Sequence, residues 1–167
     1  MAEEVEQPKK KVYVETTVVS DATALPSKDV VLAGGQFVSR EWLDSAKVKY
    51  ELYSSFLVRR ESLKGDPDAA ARRIAALTNL RELQADEQAQ RLAMKLLDGK
   101  AVPKEYPDDA LHIATAAINE MDYLVSWNFR HITNAQTIPL VKRICETNGY
   151  RCPEICTPQM LQGGDEP

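Results

Sequence analysis

The feature that most constrains this chain is a regular exchange of short β-branched runs for longer stretches with helical spacing. VYVETTVVS, from Val12 to Ser20, is short and β-branched and reads as a buried first strand. Asp29 to Lys47 follows, with Val30, Ala33, Phe37, Val38, Leu43 and Ala46 at roughly helical intervals around the uncertain pair Gly34 and Gly35. ELYSSFLV at 51 to 58 reads as a second strand, and Asp66 with Pro67 reads as the capped start of a helix through Leu77. Leu80 to Leu83 is a short strand, Asp86 to Leu97 a helix stopped by Asp98 and Gly99, and Asp108 to Asn119 another helix with a narrow stripe of small residues. Tyr123 to Trp127 is a strand, Ile138 to Thr147 a helix and Glu154 to Thr157 a last short strand.

Parallel strands need crossover connections, so this alternation implies an α/β fold in three layers, a mainly parallel twisted sheet with helices on both faces. A length of 167 residues suits one compact domain, residues 11 to 162. It would lie between flexible tails, the polar residues 1 to 10 with Pro8 and the Gly-rich residues 163 to 167.

Charge excludes a global polycation, since 21 Lys and Arg against 25 Asp and Glu give −4. Nucleic acid stays open as a partner, because phosphate is neutralised by basic side chains gathered locally. No apolar run nears the roughly 18–20 residues of a membrane span and no signal-peptide core follows the first residues, so the expectation is a cytoplasmic protein with no membrane partner. Three cysteines, Cys145, Cys152 and Cys156, are too few for a disulfide framework and lack the second pair a zinc site requires, which predicts reduced thiols.

In an open parallel sheet, function collects outside the carboxyl ends of the strands, where the strand order reverses. The first strand delivers Glu15 with Thr16 and Thr17, Glu61 follows the second, Asp108 and Asp109 open a helix, and Asn128 follows the strand Tyr123 to Trp127. Converging carboxylates repel unless a counter-charge joins them, and oxygen-rich, histidine-poor sets suit Mg²⁺ or Mn²⁺. Each residue also has a plainer reading: Glu15 as strand-end polarity, Glu61 as a solvated charge, Asp109 as a helix cap, Asn128 as a turn residue. His112 stands three residues after Asp109 on one helix face, and neither it nor His131 is assigned as a general base.

Three segments together carry a family resemblance. VYVETTVVS resembles the opening strand of PIN domains, DDALHIATAA their Asp-Ala-x-His helix start, and YLVSWNFRHI their late strand and loop. LVRRESLKGDPDAAARRIAAL is similar to the glutamate-bearing helix region of the VapC-like toxin group, so the likeness runs over about residues 11 to 162. It implies a Mg²⁺- or Mn²⁺-dependent endoribonuclease that cuts RNA phosphodiesters, with an antitoxin protein and a second copy of itself as partners. The helix Asp86 to Leu97 is one candidate for the dimer surface.

Carried over by position, Glu15 stands where the family has an aspartate, Glu61 on its helix glutamate, Asp109 on the aspartate of Asp-Ala-x-His and Asn128 on its last acidic position. The resemblance makes these four catalytic, with Glu15, Glu61 and Asp109 on the metal. Thr16, Arg59, Arg60 and His131 are the substrate-binding candidates, backed by Lys64, Arg72 and Arg73, and Trp127 is a base-stacking candidate. Glu15 is one methylene longer than aspartate and Asn128 lacks a charge, so the competing expectation is a weakened PIN domain that binds nucleic acid or protein without cutting. A phospho-accepting receiver is disfavoured because no lysine follows a later strand.

Overall fold

The computed structural model describes residues 5 to 162. Five strands, β1 (Lys10–Val14), β2 (Tyr50–Ser55), β3 (Arg81–Leu83), β4 (Tyr123–Val125) and β5 (Glu154–Cys156), form one sheet in the order β3-β2-β1-β4-β5, every pairing parallel. The helices are α1 (Thr16–Thr23), α2 (Val30–Lys49), α3 (Phe56–Ser62), α4 (Pro67–Leu77), α5 (Glu87–Asp98), α6 (Pro107–Ile118) and α7 (Ile138–Thr147), with a final 3₁₀ turn at Pro158–Leu161.

The chain moves outward from β1 to β2 and β3, then crosses back to β4 and β5 on the other side of β1. Right-handed crossovers taken in opposite directions put their helices on opposite faces. Accordingly α1 packs on α2, α3 and α4, whereas α5 packs on α6 and α7. The expected α/β/α layering is therefore observed. Val12, Val14, Leu124 and Val125 on the two central strands are fully buried, as strands covered on both faces require. The small-residue stripe of α6 (Ala110, Ala114, Ala117) lets it approach α5, whose Ala89, Leu92, Ala93 and Leu96 fill the same core.

Several boundaries depart from the sequence reading, and β4 and β5 stop short of the expected Trp127 and Thr157, at Val125 and Cys156. Thr16 to Ser20 is helical, not strand: Glu15 caps α1 by accepting from the Thr17 amide, and Val18 and Val19 are buried in the core. Phe56 to Val58 is likewise helical, because the Ser55 side chain accepts from the Val58 amide (3.2 Å) and ends the strand there. Glu61 consequently lies on a helix, near the end of α3.

The Gly pair does not break α2, whose cap Asp29 accepts from the Leu32 amide at 2.9 Å. Its buried face is Gln36, Ser39, Trp42 and Ala46, while Val30 (85 % exposed) and Phe37 (61 %) point outward. At the N-terminus Lys10 already belongs to β1, and Val5 to Lys9 carry no regular structure. Residues 1 to 4 and the expected tail 163 to 167 lie outside the described residues. Among the described residues no helix is long and apolar enough to cross a membrane.

Candidate functional site at the strand-order reversal

The crevice lies where β1 and β4 are neighbours but their crossovers run opposite ways. Val14 pairs with Val125, so one residue further along each strand Glu15 stands level with Ser126. The Ser126 hydroxyl donates to Glu15 Oε1 at 2.9 Å, the Thr17 amide donates to Oε2, and the Thr17 hydroxyl lies 3.4 Å from Oε1. Glu15 is 2 % exposed, and burial raises its carboxyl above the ordinary glutamate value against the lowering influence of His112, Thr17 and Ser126. Both of its oxygens are thus engaged by the protein.

Glu61 is held differently. Its Oε1 accepts from the Thr16 hydroxyl (2.6 Å) and meets His112 Nε2 at 2.6 Å. Burial works to raise its pKa, but the hydrogen bond and charge of His112, aided by Thr16 and Lys64, bring it below the ordinary value. His112 is 1 % exposed; burial opposes its charge, yet the hydrogen bond to Glu61 and the charges of Glu15, Glu61 and Asp109 raise its pKa on balance. On the far side of the ring, Nδ1 lies 2.7 Å from the Tyr13 hydroxyl, which is also 2.7 Å from Ser55 Oγ. A protonated His112 donates Nε2–H to Glu61 and Nδ1–H to Tyr13, and Tyr13, kept protonated by burial, donates on to Ser55. Of the three acids expected at the site, Glu61 is the one in hydrogen-bond contact with this imidazole.

Asp109 opens α6, and its Oδ2 is 2.8 Å from His131 Nδ1. The His131 ring packs on Tyr106 with centroids 4.0 Å apart. Asn128 Oδ1 accepts the His131 amide (3.1 Å), and its carbonyl accepts the Ile132 and Thr133 amides, so Asn128 builds the loop that carries His131. Trp127 is anchored by its backbone amide to Thr17 Oγ1 (2.9 Å) and by its indole N–H to Ser39 Oγ (2.7 Å). Arg59 pairs with Glu82 (2.9 Å) and Arg60 with Asp108 (3.1 Å), both arginines half exposed.

The structure therefore sets Glu61 against His112 and Thr16, and Asp109 against His131, while Glu15 is tied to Thr17 and Ser126. Asn128 joins through the loop, while Arg59 and Arg60 stand outside. Among the described residues no three His, Cys, Asp or Glu side chains cluster as a ready metal cage. The donor set fits a hydrated ion nonetheless. Glu61 Oε2 and Asp109 Oδ1 accept no hydrogen bond among the described residues, and Mg²⁺ commonly takes only one or two carboxylates besides water.

Sequence reasoning did not assign Tyr13 or Ser126 to the site, and it left His112 without a role. Ser126 was legible as a hydroxyl at the carboxyl end of a strand, directly before Trp127. Tyr13 carried a subtler signal, a polar-tipped aromatic two positions before Glu15 and therefore on the same side of its strand.

No model of a known protein family matches this chain, and no curated protein does so.

Proposed function

We propose that this protein is a divalent-metal-dependent endoribonuclease of the PIN type, with Glu61 and Asp109 as the direct metal ligands. One observation carries the reading. Glu61 and Asp109 are each fixed through one oxygen by a histidine, His112 and His131, and the second oxygen of each accepts no hydrogen bond among the described residues. Histidines that lock carboxylates are what a metal site requires of its supporting shell. When bound, Mg²⁺ or Mn²⁺ polarises a phosphoryl group and makes water nucleophilic near neutral pH.

The chain's own groups do the rest. Thr16 and His112 hold the Glu61 carboxylate in one rotamer, and His131, steadied by Tyr106, does the same for Asp109. Glu15 acts from behind, adding negative charge that favours the imidazolium of His112 and tying β1 to β4 through Ser126. Arg59 and Arg60 exchange their exposed carboxylate partners for backbone phosphates as RNA docks, which positions the strand without reading its sequence.

The proposal extends to a protein antitoxin and to a homodimer, with the chain acting in the cytoplasm. The apolar side of α5 is largely buried in the chain's own core, with Met94 left exposed, so α5 is not the dimer surface in this reading.

The test is cleavage of a mixed RNA pool by purified protein with Mn²⁺, with EDTA, and by Glu61→Gln. Cleavage that needs the ion and is abolished or strongly reduced in Glu61→Gln supports the reading. Full activity in Glu61→Gln overturns it. Metal-independent RNA binding without any cut favours the weakened module, to which the closed coordination of Glu15 already points.

A further inference from the structure

A cavity of about 800 Å³ lies beside α2, lined in part by Asp21, Gly34, Gly35, Trp127, Phe129 and Gln159. Its size is in the range of roughly 300–1,000 Å³ in which proteins hold small ligands. None of the proposed metal ligands lines it, yet its wall continues into the crevice. The Trp127 amide donates to Thr17 Oγ1 (2.9 Å), and the Thr17 amide in turn donates to Glu15. Asn128, between the two aromatic residues, accepts the amide of His131 (3.1 Å), the histidine that holds Asp109.

Two groups on this wall lack a use in the folded chain. Phe129 is 56 % exposed but firmly held: its amide donates to the Trp127 carbonyl (2.9 Å), its carbonyl accepts from the Asn134 side chain (2.9 Å), and its ring stands at 74° to that of Trp127 with centroids 6.0 Å apart. A fixed, exposed ring beside a site for RNA is a platform on which a base can stack. Asp21, on α1, is half-buried, and its carboxylate has no hydrogen bond or ion pair among the described residues. Asp29, the other acid of the wall, is already spent on the Leu32 amide (2.9 Å). A carboxylate withdrawn from water without a partner is unfavourable, so a ligand that brings N–H donors to Asp21 gains what the fold leaves unmade. The glycines keep that carboxylate uncovered: a side chain at Gly35 would stand 3.3 Å from Asp21 Oδ2, and one at Gly34 would meet nothing within 4 Å.

We propose that this cavity is a nucleobase subsite that takes an unpaired guanine of the RNA, its face on Phe129 and its Watson–Crick edge on Asp21, a role that rests on RNA as the substrate of the crevice. Guanine alone among the four bases carries two adjacent donors on that edge, N1–H and N2–H₂, and these match the two oxygens of one carboxylate. Adenine and cytosine offer one amino group there and uracil one N–H, in each case beside acceptors that repel a carboxylate. Arg130, next after Phe129, is exposed and forms no ion pair among the described residues, so the stacked nucleotide has a cation at hand for its phosphate. The subsite thus adds base selectivity to a crevice whose arginines grip only the backbone.

The test is fluorescence anisotropy of a dye-labelled, single-stranded adenine RNA carrying one central guanine, inosine or uracil, titrated with the intact protein in Mn²⁺ and in EDTA and sized on a gel afterwards. Guanine RNA should bind about tenfold tighter than uracil RNA, with inosine, which keeps N1–H but lacks the amino group, in between. Phe129→Ala should weaken all three by about tenfold, with Phe129→Tyr restoring them. Asp21→Asn should erase the difference between guanine and inosine. Equal binding of the three RNAs by the wild type overturns the proposal, and that comparison decides even where a variant fails to fold. Wild-type binding by a folded Phe129→Ala also overturns it, and leaves the cavity, with its exposed Val30 and Val31, to a protein partner. Metal-dependent cutting without base preference removes the subsite and spares the ribonuclease. Guanine-dependent binding without cutting does the reverse, and no RNA binding at all removes both.

Discussion

Tyr13→Phe isolates the hydrogen-bond chain behind the site, because it deletes one oxygen and keeps the ring that packs edge-on to His112 with centroids 5.8 Å apart. Two buried groups lose a partner. Ser55 Oγ retains the Val58 amide (3.2 Å), but His112 Nδ1 has no other partner among the described residues. A buried donor left unsatisfied costs ~1–3 kcal/mol, so ~2 kcal/mol is expected, about a 30-fold shift toward the unfolded state and a fall of ~4–8 °C in Tm at this size.

The loss should also depend on pH. The folded pKa of His112 is raised above its ordinary 6.5, so the stability its charge contributes is fully present below 6.5 and disappears as pH rises through the folded value. Without the tyrosine oxygen the imidazolium loses its Nδ1–H acceptor, whereas neutral His112 can keep Nε2–H on Glu61 and leave Nδ1 a bare acceptor. The variant is therefore expected to lose more at pH 5.5 than at pH 9. Urea unfolding at both pH values, with unchanged m, reads this directly. A loss below ~0.5 kcal/mol, or the same loss at both pH values, refutes a charged His112 bridged to Tyr13.

Glu61 gives the opposite limb of the pH profile. Its lowered pKa contributes stability above the ordinary 4.5 that is lost as pH falls through the folded value, so wild type should be most stable between roughly 4.5 and 6.5 as far as this pair decides, and Glu61→Gln should flatten the acid side in thermal melts. Arg60→Ala should change stability by less than ~1 kcal/mol, its Asp108 pair being half exposed, yet weaken RNA retention on a filter and reduce its salt dependence. Gly149→Ala forces a side chain to φ +87° and should cost ~1–2 kcal/mol in urea.

The fold was legible because strand and helix periods alternate along the chain, and the caps Asp29, Asp66 and Asp86 stand one residue before the helices they start. The boundaries were harder where chemistry overrode propensity. Thr16 to Ser20 has the composition of a strand, and only the carboxylate of Glu15, folding back onto the Thr17 amide, reveals that a helix starts there. The outward Val30 and Phe37 show the same limit, since helical spacing fits more than one face and the sheet beneath chooses among them. At the candidate site, the acids were singled out from their places at strand and helix ends. Their partners were not, because Ser126 and Tyr13 reach Glu15 and His112 from strands remote in sequence.

The central claim, that Glu61 and Asp109 together hold a divalent cation, is tested most directly by titrating Mn²⁺ into the protein in a calorimeter beside Asp109→Asn and Glu61→Gln. Saturable binding of about one ion per chain is expected, as a site built from two carboxylates allows, lost in either variant while both still fold. No binding to the wild type, or equal binding to all three, contradicts it.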